Sequence, residues 1–237
     1  MKQTYSFISW NLCMLHRSDD APVSWRIDQS ESEIRKRILK ASPDFVFFQE
    51  LPNLVPFVEG YDLLPSNVRS HCGVIATLVR SKLMPHVKPG RFKPFAVTLA
   101  IESDDITFAN VHLEPGRNGS GMRREMLATL ANHCDTDKLV IVGDTNTRLD
   151  EESEYKDLGL IGDKPPTATW DTRANRFRDG AAFTAYFTRY FHSTNVRVDN
   201  VKVWDQPMEF EGKSFFLSDH FALSGRVRDT ENSATDQ

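Results

Sequence analysis

The chain has 237 residues, of which 40% are hydrophobic and 26% are charged, a composition typical of one ordinary globular domain. Its 29 Lys and Arg residues against 33 Asp and Glu give a net charge of -4, which excludes a general positive field that would attract polyanions. Its apolar runs are far shorter than the roughly 20 residues needed to cross a bilayer, which argues against an integral membrane protein.

Two buried strands are predicted near the start of the chain, and a polar residue stands at the end of each. Residues 4–10 alternate apolar and small polar side chains, which predicts a half-buried strand that leads to Asn11. The apolar run over 44–49 predicts a buried strand that ends at Glu50. Between them, residues 30–33 read Ser-Glu-Ser-Glu, a capping box that predicts the start of a helix ending before the next proline.

Three further strands are predicted in the middle of the chain, over 74–79, 95–101 and 106–113. The turn sequence at 103–105 indicates that the last two form a hairpin. The third of these strands carries His112 near its end.

A helix over about 120–133 and a strand over 138–142 are predicted next. The strand runs into Gly143 and Asp144, so a carboxylate again stands at a strand end. The apolar face predicted for the helix consists of Met122, Met126, Leu127 and Leu130.

The last part of the chain contains a Pro- and Thr-rich loop over 164–169, an aromatic-rich stretch over 177–192, and strands over 196–204 and from Phe221. The aromatic spacing predicts a helix that packs on the sheet, with a lid over the leaving group as the alternative. Five aromatic residues have this spacing: Phe183, Tyr186, Phe187, Tyr190 and Phe191.

Alternating strands and helices, followed by hairpins, favour an α/β fold with a layered sheet core flanked by helices. We expect one domain over 1–228 and a disordered polar tail over 229–237. Cys13, Cys72 and Cys134 are odd in number and scattered, and no signal-peptide sequence precedes the first strand. These features predict an intracellular protein, cytoplasmic or nuclear, with free thiols and no zinc cluster.

Eight polar residues in or after apolar segments are candidates for chemistry. They supply carboxylates for a hard metal ion, amides that position groups, and two imidazoles. Phosphate ester hydrolysis needs all three, because negative charge spreads over the nonbridging oxygens while water loses a proton and an alkoxide leaves. The eight are Asn11, Glu50, His112, Asp144, Asn146, Asp199, Asp219 and His220.

Mg²⁺ suits these carboxylates, because it keeps several waters and takes only one or two protein carboxylates. We expect Glu50 to bind it directly and Asp219 to bind it through a water, with Mn²⁺ as the substitute cation. Asp144 and Asn146, at positions i and i+2 of an extended chain, would face one water molecule. Gly143 would let a phosphate approach the backbone closely.

His220 needs a hydrogen-bond partner other than its neighbour Asp219, because adjacent side chains in an extended segment point in opposite directions. Asp199 is the candidate partner, and an Asp–His pair would fix the orientation of the imidazole.

Six motifs in this order resemble those of the endonuclease/exonuclease/phosphatase superfamily of Mg²⁺-dependent phosphodiesterases. They are Ser9-Trp10-Asn11, Phe48-Gln49-Glu50, Val111-His112-Leu113, Gly143-Asp144-Thr145-Asn146, Arg197-Val198-Asp199 and Ser218-Asp219-His220. The resemblance implies a four-layered α/β sandwich, in which two packed mixed β-sheets are flanked by helices and the active site lies at one edge. The roles it implies are Glu50 on the metal, Asn11, Asp144 and Asn146 around the attacking water, His112 and His220 on the phosphate oxygens, and Asp199 behind His220.

Within that superfamily, three segments are similar to the 5′-tyrosyl-DNA phosphodiesterases, which cut the bond between a topoisomerase tyrosine and a DNA 5′-phosphate. This similarity implies that Glu114, Arg148 and Trp170 line the substrate channel. The alternatives are a surface ion pair between Glu114 and Arg148, and a core position for Trp170. The three segments are His112-Leu113-Glu114, Gly143-Asp144-Thr145-Asn146-Thr147-Arg148 and Thr169-Trp170-Asp171-Thr172.

The sequence therefore predicts a monomeric, Mg²⁺-dependent phosphodiesterase. It would act at a nucleic-acid 5′ end and on a DNA–protein adduct, and it would not bind membranes.

One departure from the superfamily pattern concerns the metal. Many relatives have Asn-x-Asp after the first strand, whereas this chain has Asn11-Leu12-Cys13 and lacks that carboxylate. The alternatives are the same chemistry on another substrate (a DNA or RNA nuclease, an abasic-site endonuclease or a deadenylase) and a catalytically silent nucleic-acid-binding module. Either Asp144 or His220 is the formal base.

Overall fold

The computed structural model describes residues 3–52, 57–65, 68–70, 72–92, 95–134, 137–177 and 181–230. Two α-helices lie within them, α1 (Ile27–Ala41) and α2 (Ser120–His133). The strands of the described residues are β1 (Tyr5–Asn11), β2 (Phe45–Leu51), β3 (Tyr61–Leu63), β4 (Val68–Ser70), β5 (Gly73–Arg80), β6 (Val87–Phe92), β7 (Ala96–Ile101), β8 (Ile106–His112), β9 (Leu139–Asp144), β10 (Ile161–Asp163), β11 (Trp170–Asp171), β12 (Thr184–Ala185), β13 (Thr188–His192), β14 (Val196–Trp204), β15 (Met208–Phe210), β16 (Lys213–Phe215) and β17 (Ala222–Asp229).

Two large sheets face each other across the core. The first has the strand order β14-β17-β1-β2-β5-β3, with β4 also paired to β5, and the second has the order β10-β13-β9-β8-β7-β6. Each sheet contains one parallel pair, β1 with β2 and β8 with β9, and antiparallel pairs elsewhere. Two mixed sheets with helices on their outer faces confirm the predicted fold class.

The alternation of side chains along β1 explains how the layers form. Phe7 points between the sheets and packs with Phe47, whereas Ile8 and Trp10 point outward and pack against Ile34 of α1. The first four residues of β2, Phe45–Phe48, are all apolar because both faces of the strand are buried there. Each buried Phe in these layers contributes about 1.5–3 kcal/mol relative to an exposed one.

Helix α2 covers the outer face of the second sheet with Leu127 and Leu130. The face predicted from the sequence is partly wrong, because Met122 is 51% exposed and Arg123 is fully buried instead. Arg123 forms an ion pair with Glu151. Neither helix of the described part is long and apolar enough to cross a bilayer.

Helix α1 begins one turn before the predicted capping box. Its N-cap is Arg26, whose backbone N–H donates to the Gln29 side chain at 2.8 Å. Ser30 lies inside the helix, where its hydroxyl accepts a hydrogen bond from Trp25 Nε1 at 2.8 Å. The helix therefore begins one turn earlier than the capping-box sequence predicts, because Ser30 makes a buried contact inside the helix and does not serve as the N-cap.

The aromatic stretch forms strands rather than the predicted helix. Strand β13 pairs with β9, so Tyr190 points into the core between the sheets while Phe191 points to the α2 side. Asp229, the first residue of the predicted tail, still belongs to β17 and pairs with Lys138 at 2.9 Å. Residues 231–237 of that predicted tail lie outside the described residues, and the single-domain assignment stays a prediction.

Candidate active site

Four polar side chains meet at one edge of the two sheets. Asn11, His112 and Asp144 are the last residues of β1, β8 and β9, and Glu50 lies one residue before the end of β2. Because the parallel pairs β1/β2 and β8/β9 end at the same edge, each sheet presents two of these residues. The convergence expected from the strand-end pattern is therefore present in the structure.

The contacts among the four residues are short. Asn11 Nδ2 donates to Glu50 Oε1 at 3.1 Å and to Asp144 Oδ2 at 2.8 Å. His112 Nε2 lies 3.4 Å from Glu50 Oε1 and 3.7 Å from Asp144 Oδ2. The side chain of Asp144 is only 2% exposed, whereas that of Glu50 is 22% exposed, so the open side of the cluster lies at Glu50.

Glu50 reaches this position because β2 is bulged. Its φ is 49°, and the register with β5 shifts between Phe48 and Leu51. A bulge of this kind re-aims a side chain at the end of a strand. Gly73 on β5 leaves room for it, since a Cβ at that position would lie 2.6 Å from the Leu51 carbonyl oxygen.

The chain turns sharply just after Asn11. Cys13, Met14 and Leu15 have φ values of 46°, 56° and 56°, so three successive residues with side chains adopt left-handed backbone. Such a conformation costs roughly 1–2 kcal/mol per residue. The turn directs the Cys13 backbone N–H to Asn11 Oδ1 at 2.9 Å, which leaves Asn11 Nδ2 facing the two carboxylates.

Asp144 and Asn146 are close together, but not through an extended segment. Asn146 has a φ of 51°, and its backbone N–H donates to Asp144 Oδ1 at 3.1 Å. Its side-chain Nδ2 donates to the Leu113 carbonyl at 3.0 Å. Gly143 is needed for close pairing with the neighbouring strand, since a Cβ there would lie 2.1 Å from the Val111 carbonyl oxygen. Its predicted role in the approach of a phosphate stays a prediction.

His220 completes the polar cluster from the loop before β17. Its Nε2 lies 3.5 Å from Asp144 Oδ2, and its Nδ1 lies 3.2 Å from Thr188 Oγ1. Its backbone carbonyl accepts a hydrogen bond from Trp10 Nε1 at 3.1 Å, and its N–H donates to Ser218 Oγ at 3.2 Å. The imidazole is therefore held from both of its ring nitrogens and from its backbone.

The predicted partner of His220 was wrong. Asp199 lies on β14 at the edge of the first sheet, and its Oδ2 is 2.9 Å from Arg228 Nε. Thr188, the first residue of β13, occupies the place beside His220 Nδ1. The alternation of Thr188 and Tyr190 at strand spacing is a sequence signal for a strand here, although the same stretch also fits a helical period.

The donor set at the cluster fits a divalent cation. Ligand atoms of Glu50, His112 and Asp144 all lie within 4.8 Å of one another, which combines two carboxylates with one imidazole. Oxygen-rich sets of this kind suit Mg²⁺ or Mn²⁺. Asp219 is outside this three-residue group, and its Oδ1 lies 3.4 Å from Ser218 Oγ, so its role as a ligand stays a prediction.

An aromatic wall stands beside His220. The Trp170 ring meets the imidazole edge-on at 4.7 Å and lies 5.8 Å from the Phe187 ring. Arg148 places its guanidinium carbon 5.5 Å from the Phe187 ring and 5.9 Å from the Phe183 ring. Two predicted channel residues, Arg148 and Trp170, thus lie next to the cluster, and Phe187 and Phe183 join them.

Glu114 follows β8 on the other side of the cluster. Its backbone carbonyl accepts a hydrogen bond from the buried Arg123 at 2.8 Å, which anchors this loop to α2. Among the described residues it forms no ion pair with Arg148, so the surface-pair alternative was wrong. Its role in a channel stays a prediction.

A pair of buried amides joins the two sheets beneath the cluster. Gln49 Nε2 donates to Asn110 Oδ1 at 2.7 Å and to Ser9 Oγ at 3.2 Å. Asn110 Nδ2 donates in turn to the carbonyls of Phe48 and Ala76 at 3.2 and 3.0 Å. Hydrogen bonds are directional, whereas apolar packing is not, so this pair sets the position of one sheet edge against the other.

A thiol lies close to the same edge. Burial raises the pKa of Cys72, and the negative charges of Glu50, Asp144 and Glu114 raise it further. The three carboxylates therefore create a negative potential around the candidate cation site.

Comparison with known proteins gives the fold. No family model and no curated protein matches the sequence. TDP2 from C. elegans is similar in structure, with 18% identity and a TM-score of 0.73 over 96% of this chain and 75% of that chain. TDP2 from D. rerio, solved with a single-strand DNA product, has 18% identity and a TM-score of 0.68 over 94% of this chain and 98% of that chain.

A third similar structure is an endonuclease/exonuclease/phosphatase family protein from Bacteroides thetaiotaomicron. It has 15% identity and a TM-score of 0.71 over 100% of this chain and 99% of that chain. These likenesses show that the chain shares the fold of these proteins.

Proposed function

We propose that this chain, which has the fold of the endonuclease/exonuclease/phosphatase proteins, is a divalent-metal-dependent phosphodiesterase acting at a nucleic-acid 5′ end. A 5′-phosphotyrosyl–DNA bond is the substrate we favour. The observation that carries the proposal is the cluster itself: His112 and His220 lie 3.7 and 3.5 Å from the same oxygen of Asp144, beside the Glu50 carboxylate. The D. rerio TDP2 structure with a single-strand DNA product supports the choice of nucleic acid.

Glu50 would hold the cation directly, and Asp219 would contact it through a water. The neighbouring Asp144 and His112 would act on the attacking water and on the phosphate. When bound, the cation offsets negative charge on the phosphate oxygens. Glu50 suits this role because its side chain is partly exposed while its orientation is fixed by Asn11.

Asp144 would take the proton from the attacking water. Both of its oxygens already accept an N–H hydrogen bond, from Asn11 and from the Asn146 backbone, so the plane of the carboxylate is fixed before substrate arrives. Preorganised groups of this kind lose little energy to reorganisation during the reaction. His220 is the alternative base, since its Nε2 faces the same region.

His112 and His220 would donate hydrogen bonds to the phosphate from opposite sheets. Thr188 holds Nδ1 of His220, which directs Nε2 toward Asp144. Trp170 would present its face to the terminal base, and base–aromatic stacking contributes about 1–3 kcal/mol.

Release of tyrosine from a 5′-tyrosyl oligonucleotide tests the proposed substrate. We expect turnover in Mg²⁺ that EDTA abolishes, and a kcat/KM at least about tenfold higher than for plain single-stranded DNA, an abasic duplex or polyadenylate RNA, because only the adduct combines a 5′ phosphodiester with a good leaving group. Preference for one of the other three substrates would contradict the tyrosyl assignment. Absence of Mg²⁺-dependent turnover on all four would contradict the enzyme and favour a silent binding module.

A further inference from the structure

A row of cations lies on the outer face of the first sheet, at its β14 edge. Val196, Val198 and Val227 point into the core between the sheets, so the residues that alternate with them point outward. The cationic side chains on this outer face of β14 and β17, here called the basic strip, are Arg197, Lys202, Arg226 and Arg228.

The charges of the basic strip are largely uncompensated. Asp199 is the one carboxylate on the same face of the two strands, and it pairs with Arg228 at 2.9 Å. Arg197, Lys202 and Arg226 are exposed and form no ion pair with any described residue. In a chain with a net charge of -4, this is a local reversal of sign.

The register of the two strands places one pair of like charges directly opposite each other. Arg197 lies opposite Arg228 across the β14–β17 ladder, whereas Asp199 lies opposite Arg226. Like charges at directly opposed positions destabilise a sheet. On a surface that only keeps the protein soluble, nothing offsets this repulsion. On a surface that binds a polyanion, the bound negative charges would offset it.

A cavity of about 550 Å³ opens on the basic strip. Lys202 and Arg226 line it together with Trp204 and Ser224. Trp204 Nε1 donates to Ser224 Oγ at 3.1 Å, which fixes the indole beside the two cations. Cations next to an aromatic ring are the combination that binds a phosphate and its base in single-stranded nucleic acid.

The basic strip is continuous with the candidate active site. Trp204 lies opposite Ala222, which is two residues after His220. Trp10, whose Nε1 donates to the His220 carbonyl, packs edge-on against Trp204 at 6.5 Å between ring centroids. From there β14 runs away from the site for nine residues, about 30 Å at the usual strand rise.

We propose that the basic strip binds the sugar–phosphate backbone of the single strand whose 5′ end occupies the active site. The identity of that strand rests on the proposed function. Lys202 and Arg226 would contact phosphates, and Trp204 would stack on a base. The affinity of the protein for a single strand would therefore increase with the number of nucleotides beyond the reacting 5′ end.

The salt dependence of binding tests this surface without turnover. A labelled, 5′-phosphorylated single strand of about 20 nucleotides is titrated in EDTA, with affinity read by fluorescence anisotropy at several salt concentrations. Each lost phosphate contact reduces the slope of log K against log salt by about 0.7 for a single strand, so the double variant Lys202→Gln/Arg226→Gln should lose about 1.4. The charge-keeping variant Lys202→Arg/Arg226→Lys should retain the wild-type slope.

A matched control removes the same number of charges from the opposite edge of the molecule. Lys82 and Lys88 are exposed near β6, and Lys82→Gln/Lys88→Gln should leave the slope unchanged. An equal loss of slope in both double variants, or no loss in either, would overturn the proposal. Because no hydrolysis is measured, this result stays readable even if the proposed reaction fails.

Discussion

Replacing Asp144 by Asn should lower the rate of phosphodiester hydrolysis by at least about 100-fold, because a neutral amide cannot accept the proton of the attacking water. Asp144 is held by an N–H donor on each oxygen, one from Asn11 and one from Asn146. An amide has a single acceptor oxygen, so one of these donors also loses its partner. The rate constant kcat with saturating 5′-tyrosyl oligonucleotide in Mg²⁺ is the measurement.

Asp62→Asn is the matched control, since Asp62 is exposed on the edge strand β3 and lies opposite Val79, which pairs with Phe45 at the end of β2 away from Glu50. It should retain the wild-type rate. The loss of one buried hydrogen bond in Asp144→Asn costs about 1–3 kcal/mol of stability, so both variants are compared well below their melting temperatures. Near-wild-type turnover by Asp144→Asn would show that another group is the base.

Replacing Glu50 by Gln should abolish cation binding as well as activity. Glu50 supplies the exposed carboxylate of the three-residue donor set, and a neutral amide oxygen is a much weaker ligand for a hard cation. Calorimetric titration with Mn²⁺ should show an affinity at least about 100-fold lower than that of the wild type, above the 10–100-fold typical of losing a group that only supports a ligand.

Glu59→Gln removes the same charge from an exposed position before β3 and should bind Mn²⁺ as the wild type does. Unchanged Mn²⁺ affinity in Glu50→Gln would exclude Glu50 as the principal ligand.

The layered fold was predictable because its central strands are buried on both faces. Strands β2 and β9 begin with short continuous apolar runs, over 45–48 and 139–142, and an acidic residue follows each run at or near the end of the strand. The change from apolar to acidic residues along these strands therefore indicated Glu50 and Asp144 as candidate site residues. Strand β14 was predicted over its full length, because Val196 and Val198 alternate with polar residues.

The partner of His220 was not predictable in the same way. The aromatic residues from Phe183 to Phe191 satisfy a helical period, but the spacing of Thr188, Tyr190 and His192 also satisfies a strand period of two. Pairing with β9, a tertiary interaction, decides between them. Only that pairing brings the Thr188 hydroxyl to the imidazole.

The local backbone of the site also escaped the sequence patterns. Glu50 sits in a bulge and Asn146 in a left-handed turn, with φ values of 49° and 51°. Neither residue type demands such a conformation, so the surrounding contacts impose it. Periodicity assumes regular strands and therefore misplaced the direction of Asn146 while correctly placing it near Asp144.

We propose that side chains from both sheets surround one divalent ion and one phosphate. The decisive experiment is diffraction from crystals soaked with Mn²⁺ and a short 5′-phosphorylated oligonucleotide, recorded where manganese scatters anomalously. We expect a single strong peak at the Glu50 carboxylate, with the 5′-phosphate between His112 and His220. A peak elsewhere, or a phosphate bound away from these imidazoles, would contradict it.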